Sequence, residues 1–188
     1  MEKRRGITIF SNEARFTRET GDRKRTCILL DTPGHTDFSP EMERTLDVLD
    51  LAILVISAPD KVTGQVRVLW NLLRRYDIPA FIFVNKMDQP GTDKDEILNR
   101  YLEGKKVSVQ DIQKLIRQRK VFPVFWGSAL KLEGFDELLE GIDKWALEKE
   151  YDDDFGARVY RITHDNTGLR LTWIRLTGGT FKAKSFRR

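Results

Sequence analysis

Three stretches of almost continuous apolar residues, Leu51 to Ile56, Ala80 to Val84 and Val121 to Trp126, constrain the fold of this 188-residue chain more than any other feature. A strand that alternates apolar and polar residues needs cover on one face only. One that is apolar throughout needs cover on both, which is the situation of strands in a parallel sheet. Helical spacings lie around these runs: Met42, Leu46 and Leu49 share one face, Val66, Leu69, Trp70 and Leu73 a second, and Leu138, Ile142 and Trp145 a third. Strand and helix in alternation predict an α/β fold, a parallel sheet with flanking helices and right-handed crossovers. Pro123 has no N–H to give to a ladder, so the third run is expected at an edge or as a late-entering strand.

Two more runs, Gly6 to Phe10 and Thr26 to Leu30, read as strands, with a Gly21-Asp22 turn before the second. The stretch from Asp93 to Lys120 is polar and helix-prone. Its best apolar face is Ile112, Leu115 and Ile116, and the weakly patterned part from Asn99 to Lys106 is expected to be a loop. After Lys149 the character changes. An acidic hinge, Tyr151-Asp152-Asp153-Asp154, leads into Phe155 to Thr163 and Leu169 to Leu176, alternating runs joined by His164-Asp165-Asn166-Thr167-Gly168, a hairpin signature. A third short strand is expected at Thr180 to Ala183. Three strands cannot close a barrel, so residues 151–188 are expected to begin a β-barrel domain after a first domain at 1–150.

Composition narrows the setting. No run reaches the length of a membrane span and no apolar stretch follows the basic N-terminus, so a cytoplasmic protein with no membrane partner is expected. The lone cysteine, Cys27, sits in a strand pattern and is expected to be buried and unreactive. The net charge is only +4, which suits docking on RNA and an ordinary solvated surface alike. The basic excess is local, at Lys3-Arg4-Arg5, Arg23-Lys24-Arg25, Arg117, Arg119, Lys120 and the closing Lys182, Lys184, Arg187 and Arg188.

Chemistry concentrates where apolar runs end. Asn85-Lys86-Met87-Asp88 follows Phe81 to Val84, and ligands of α/β sheets bind beyond the carboxyl ends of strands. A carboxylate there can accept from the N1 and 2-amino donors of guanine, a pair that adenine does not present, while an asparagine amide can hold the O6/N7 side and neighbouring loops. The same four residues also make an ordinary strand-to-loop turn. Asp31-Thr32-Pro33-Gly34-His35 follows Cys27 to Leu30; Asp31 can hold a magnesium ion through water, and Gly34 leaves an N–H free to approach a γ-phosphate. That sequence is equally a β-turn before a helix. Gly127-Ser128-Ala129-Leu130 can brace a base through backbone N–H groups. Thr8 in Arg5-Gly6-Ile7-Thr8 offers a hydroxyl to magnesium, although a lone threonine in a strand is usually structural.

Together, Arg5-Gly6-Ile7-Thr8-Ile9, Asp31 to Phe38, Asn85 to Asp88 and Gly127-Ser128-Ala129 resemble the switch I, switch II, base-specificity and fifth motifs of translational GTPases. Within that superfamily the chain resembles elongation factor G and, more closely, the tetracycline-resistance ribosomal protection proteins, through Glu41 to Leu46, Ile53 to Ala58 and Ile78 to Gln89. The resemblance implies a P-loop-NTPase-like sheet, GTP/GDP and Mg2+ as cofactors, and the ribosome, its RNA and small subunit, rather than DNA, as partner. It implies GTP hydrolysis by in-line attack, with His35 positioning the water. Thr8 and Asp31 would serve the metal, and Gly34, Asn85, Lys86, Asp88, Ser128, Ala129 and Leu130 would join them around the nucleotide.

Two departures stand beside the resemblance. No Gly-x-x-x-x-Gly-Lys-[Ser/Thr] occurs in the 188 residues, so the sheet is expected to be incomplete, to lack a central strand and to expose edges and apolar surface. Roughly forty residues separate Asp88 from Ser128, fewer than such proteins usually carry, with the suspected join near Asn99-Arg100. The alternative to a hydrolase is a truncated, non-hydrolysing module that binds the ribosome or a partner.

Overall fold

Seven strands and five helices form among the residues that the computed structural model describes, which are 12–20, 23–32, 39–60, 63–101, 112–147 and 149–182. Packing divides the chain into one unit of residues 50–147 and another of residues 1–49 with 148–188. One cut falls close to residue 150. The other puts the first 49 residues with the C-terminal hairpin.

In the 50–147 unit, β3 (Ala52–Ser57), β4 (Ala80–Asn85) and β5 (Val124–Trp126) form a parallel sheet in the order β3-β4-β5. β5 lies at an edge, as Pro123 predicts, and starts only after the proline, whose carbonyl accepts from Ile82 N at 2.8 Å. β4 behaves as a two-sided strand should, whereas β3 buries only Leu54 and leaves Val55 55% exposed, apolar surface of the kind expected of an incomplete sheet. Phe81 and Phe83 of β4 and Phe125 of β5 point to one face, where α4 (Ile112–Arg117) and α5 (Phe135–Trp145) supply Ile116, Leu138, Ile142 and Trp145. Ile82 and Val84 point to the other, with Trp70 of α2 (Gly64–Arg75) and Ile97 of α3 (Lys94–Tyr101). Alternation along one strand therefore holds helices on both faces.

Rings dominate the first layer: Phe83 stacks on Phe135 at 5.3 Å between centroids and Phe81 lies 5.7 Å from Phe125. On the other side Trp70 meets Phe122 edge-on at 4.7 Å, and the Arg119 guanidinium stands 5.4 Å from both rings while donating to the Ile78 carbonyl.

Local signals mark the helix ends. Thr63 Oγ1 accepts from Val66 N to cap α2, whose last turn carries Arg74 and Arg75; Asp77, at φ 52°, then turns the chain toward Pro79. Asp93 Oδ1 accepts from Glu96 N at 2.9 Å to start α3. That helix runs through Tyr101, so Asn99 to Tyr101 are helical where a loop was expected; Asp93 caps it and Asp95 and Glu96 favour its first turn, which outweighs the weak apolar pattern.

In the other unit, β1 (Asn12–Thr20) pairs antiparallel with β2 (Arg23–Asp31). β1 went unread in the sequence because it is polar on both faces; its residues are held by the ladder and by cross-strand pairs such as Glu19 with Lys24 at 2.9 Å. The expected strand at Gly6 to Phe10 and the Gly21-Asp22 turn lie outside the described residues. Cys27 on β2 is half-buried, not buried, because a two-stranded ribbon gives incomplete cover. α1 (Ser39–Leu46) buries Met42 and Leu46, and Leu49 falls just beyond its end.

β6 (Gly156–His164) and β7 (Arg170–Gly178) make the second hairpin. Its turn is built by Asp165, whose Oδ1 accepts from Thr167 N, Thr167 Oγ1 and Leu169 N. Thr180 to Lys182 do not join it as a strand; Gly179, at φ 59°, turns the chain away, and Ala183 lies outside the described residues. Basic side chains tie the hairpin and its approach to the end of α1: Arg158 to Asp47 at 3.5 Å, Lys149 Nζ to the Leu49 carbonyl at 3.2 Å, and Arg175 to the Val48 carbonyl. Tyr160 donates to Glu13 Oε2 at 3.0 Å, and burial first, then Glu13, raise its phenol above the usual tyrosine value.

Two outcomes check this packing. Phe81→Ala, at a fully buried ring, should cost about 3–5 kcal/mol of stability in urea denaturation, whereas Val55→Ala, at a residue 55% exposed, should cost far less. Because the folded phenol titrates above the unfolded one, the stability linked to Tyr160 is present below the ordinary tyrosine pKa and is lost as pH rises through the raised value. Tyr160→Phe should remove that alkaline loss in a denaturation series against pH.

Candidate guanine-binding site

Parallel neighbours end on the same side of a sheet, so the loops after β4 and β5 emerge together. Their ladder continues past β5: Gly127 N donates to the Val84 carbonyl at 3.0 Å and Met87 N to the Gly127 carbonyl at 3.1 Å. Asn85, the last residue of β4, then joins three loops. Its Oδ1 accepts from Lys86 N and Ala129 N, both at 2.8 Å, and its carbonyl accepts from Ala58 N at 2.9 Å, at the end of β3. An amide oxygen suits this place because it has two lone pairs and no charge to desolvate.

The β5–α5 loop is closed by Ser128 and Glu133, which exchange backbone hydrogen bonds of 3.2 and 3.0 Å. Two glycines permit the closure. A Cβ on Gly127 would run into the Glu133 carbonyl and the Phe83 ring, and Gly134, at φ 81°, would press one against the Trp126 carbonyl. Ser128 is fully buried; its Oγ accepts from Lys131 N at 3.3 Å, and its hydroxyl acts on the Asp88 carboxylate. The Ser128 hydroxyl, the largest influence, holds the Asp88 carboxyl below the usual aspartate value against desolvation, which comes second, with smaller help from the backbone N–H of Asp88 and the charge of Lys131. Asp88 is thus an ionised, oriented acceptor at the tip of a buried strand. Lys86, at φ 64°, turns away from β4, with its ammonium 3.9 Å from Asp60.

Of the residues singled out in the sequence, Asn85, Lys86, Asp88, Ser128 and Ala129 come together in this way. Leu130 belongs to the same loop but stands 87% exposed at its tip, where it can lie against a planar base only from one side. Asp31 ends β2 in the other unit and is exposed; Thr8, Gly34 and His35 lie outside the described residues. Among the described residues no group of three or more His, Cys, Asp or Glu could hold a metal, so Asp31 alone represents the expected Mg2+ ligands. Sequence reasoning missed Glu133, Gly134 and Thr92. Glycines at 127 and 134 flanking the Ser-Ala-Leu motif were a usable signal for the first two. Nothing in the sequence pointed to Thr92.

The family described as "Elongation factor Tu GTP binding domain" matches residues 1–148. The tetracycline resistance protein TetW of Butyrivibrio fibrisolvens is 30% identical over 237 residues, covering 98% of this chain and 36% of the relative. TetM from transposon Tn5251 of Streptococcus pneumoniae is 30% identical over 230 residues, covering 95% and 35%. The chain thus spans roughly a third of the length of these relatives. Among solved structures, a protein of Thermus thermophilus superposes with a TM-score of 0.75 at 19% identity, over 95% of this chain and 38% of its own. Elongation factor SelB from Methanococcus maripaludis, in complex with the GTP analogue GppNHp, gives 0.69 at 19%, over 92% and 36%. The family match over most of the chain makes it a member of the elongation factor Tu GTP-binding domain family, within the translational GTPase superfamily.

Proposed function

We propose that this chain contributes the guanine-reading half of the nucleotide site of a ribosome-acting GTPase of the elongation factor G and ribosomal protection type. The observation that carries the reading is the tie of Asn85 Oδ1 to Ala129 N together with the action of Ser128 on Asp88, which brings the Asp88 carboxylate and the Ser128–Leu130 loop to one space beyond β4 and β5. Guanine would place N1–H and its 2-amino group on Asp88 and O6 toward the backbone N–H groups near Ala129, with the Lys86 stem and Leu130 against the ring faces. Family membership supports guanine nucleotide as ligand and GTP hydrolysis as the reaction. The similarity to ribosomal protection proteins supports the ribosome, in the cytoplasm, as the place of action, with protection from tetracycline as the specific role to test.

The same proposal includes residues 1–150 as the GTP-binding region and 151–188 as the start of a β-barrel domain. Its phosphate half rests on sequence motifs: Thr8 and Asp31 toward Mg2+, Gly34 toward the γ-phosphate and His35 toward the attacking water. Mg2+, where bound, would neutralise charge on the phosphate oxygens. This chain's own described residues do something narrower, which is to select and orient the base.

Asp88→Asn tests the base assignment. It replaces an acceptor pair with an amide that offers a donor, so preference for GDP over xanthosine diphosphate should fall by about ten- to a hundredfold in equilibrium binding; an unchanged ratio would sink the assignment. A pH series tests the electrostatics. With the folded carboxyl held low, guanine binding should stay flat as pH falls from 7 and weaken only below the ordinary aspartate range. Ser128→Ala removes the largest lowering influence and should move that acid limb to higher pH.

A further inference from the structure

The loop from β4 to α3 has to hold Asp88 still while lying at the surface, and its backbone offers little help. Lys86 and Gly91 both sit at positive φ, 64° and 79°, so the chain reverses twice within six residues. Gln89 N donates to the Lys86 carbonyl at 3.1 Å, a single turn of backbone closure. The side chain of Thr92 adds to it. Its Oγ1 lies 3.0 Å from the Met87 carbonyl and 2.8 Å from the Gln89 carbonyl, the two carbonyls that flank Asp88. The next residue, Asp93, caps α3 through Glu96 N, so Thr92 is anchored to the first turn of a helix whose Ile97 is buried in the core.

We infer that Thr92 is a positioning residue for guanine selection: its hydroxyl, shared between the carbonyls on either side of Asp88, fixes the direction of that carboxylate from the α3 side as Ser128 fixes it from the β5 side. The inference rests on the guanine reading and adds to it a residue that touches no part of the nucleotide. The physical case is one of entropy. A carboxylate recognises two donors at a fixed spacing only if its plane is set before the base arrives, and a loop free to rotate about Met87 and Gln89 would have to be ordered on binding. One hydroxyl proton cannot serve both carbonyls at full strength, but a bond shared between them restrains both peptide planes together.

The test uses the full 188-residue chain and its Thr92→Val and Thr92→Ser variants, with GDP and inosine diphosphate as probes. Inosine diphosphate lacks the 2-amino group, so the ratio of the two affinities reports the Asp88 contact and little else. Valine keeps the shape of threonine and removes the donor. The GDP preference should fall about three- to tenfold in Thr92→Val and return in Thr92→Ser, while melting temperatures stay close and the Gln89 amide exchanges faster in the valine variant. A wild-type preference retained by Thr92→Val, or lost equally in Thr92→Ser, overturns the positioning role and leaves the guanine site standing. A wild-type chain that does not distinguish the two nucleotides overturns the guanine site itself, and this role with it.

Discussion

Asn85 is the residue on which the described site depends. It ends a strand whose five preceding positions are all buried, and from there one oxygen accepts from its own successor and from the loop after the neighbouring strand. Each bond has an ordinary strength of about 1 kcal/mol. Their value is geometric, because they make two loops that come from separate strands into one surface. Replacing the amide with a carboxylate would put a second negative group beside Asp88, and an apolar residue there would leave the Ala129 N–H without the Asn85 acceptor.

That surface can be fixed only because β4, the strand beneath it, is covered on both sides. Phe81 and Phe83 face the α4–α5 layer, Ile82 and Val84 the α2–α3 layer, and a register slip of one residue would exchange the two sets. The strand presents two phenylalanines to one layer and two smaller aliphatic residues to the other, so the slip would overpack one side and leave voids in the other. The same argument explains why Gly127 and Gly134 are glycines. The loop they flank passes so close to the Phe83 ring and to the end of β5 that the cover of the sheet and the shape of the site are a single packing problem.

How much of this was legible in the sequence follows from what each element is held by. The parallel strands were readable because burial on both faces leaves continuous apolar runs, and the C-terminal hairpin because alternation and its Asp165 turn are local features. β1 was not, since Asn12–Thr20 is stabilised by pairing with β2, a non-local ladder that leaves no apolar period in its own residues. The described part of the expected third strand, Thr180 to Lys182, failed for the converse reason: β propensity is present, but among the described residues no strand pairs with it. In the site, Asn85, Asp88 and Ser128 could be found because their side chains are chemically distinctive and follow apolar runs. Thr92 could not, since its role arises from a loop that brings two carbonyls to one hydroxyl, and threonine seven residues after an asparagine is no signal by itself.

The exposure of Asp88 separates two properties that are easily confused. A carboxylate at the surface loses little hydration when it meets a base, and what it gains replaces hydrogen bonds to water, so it adds modestly to affinity. On the proposed reading it would still discriminate strongly, because a base offering an acceptor or nothing at the same place leaves a carboxylate with a worse partner than water. The Ser128 hydroxyl and the Lys131 charge favour the ionised form and leave that discrimination intact across the neutral range. Affinity for a nucleotide must then come chiefly from its charged end, through the backbone N–H groups and cations that bind phosphate. Base selection and phosphate binding can therefore be carried by different segments of a fold, and the guanine reading proposed above gives residues 85–92 with 127–134 the first of these tasks.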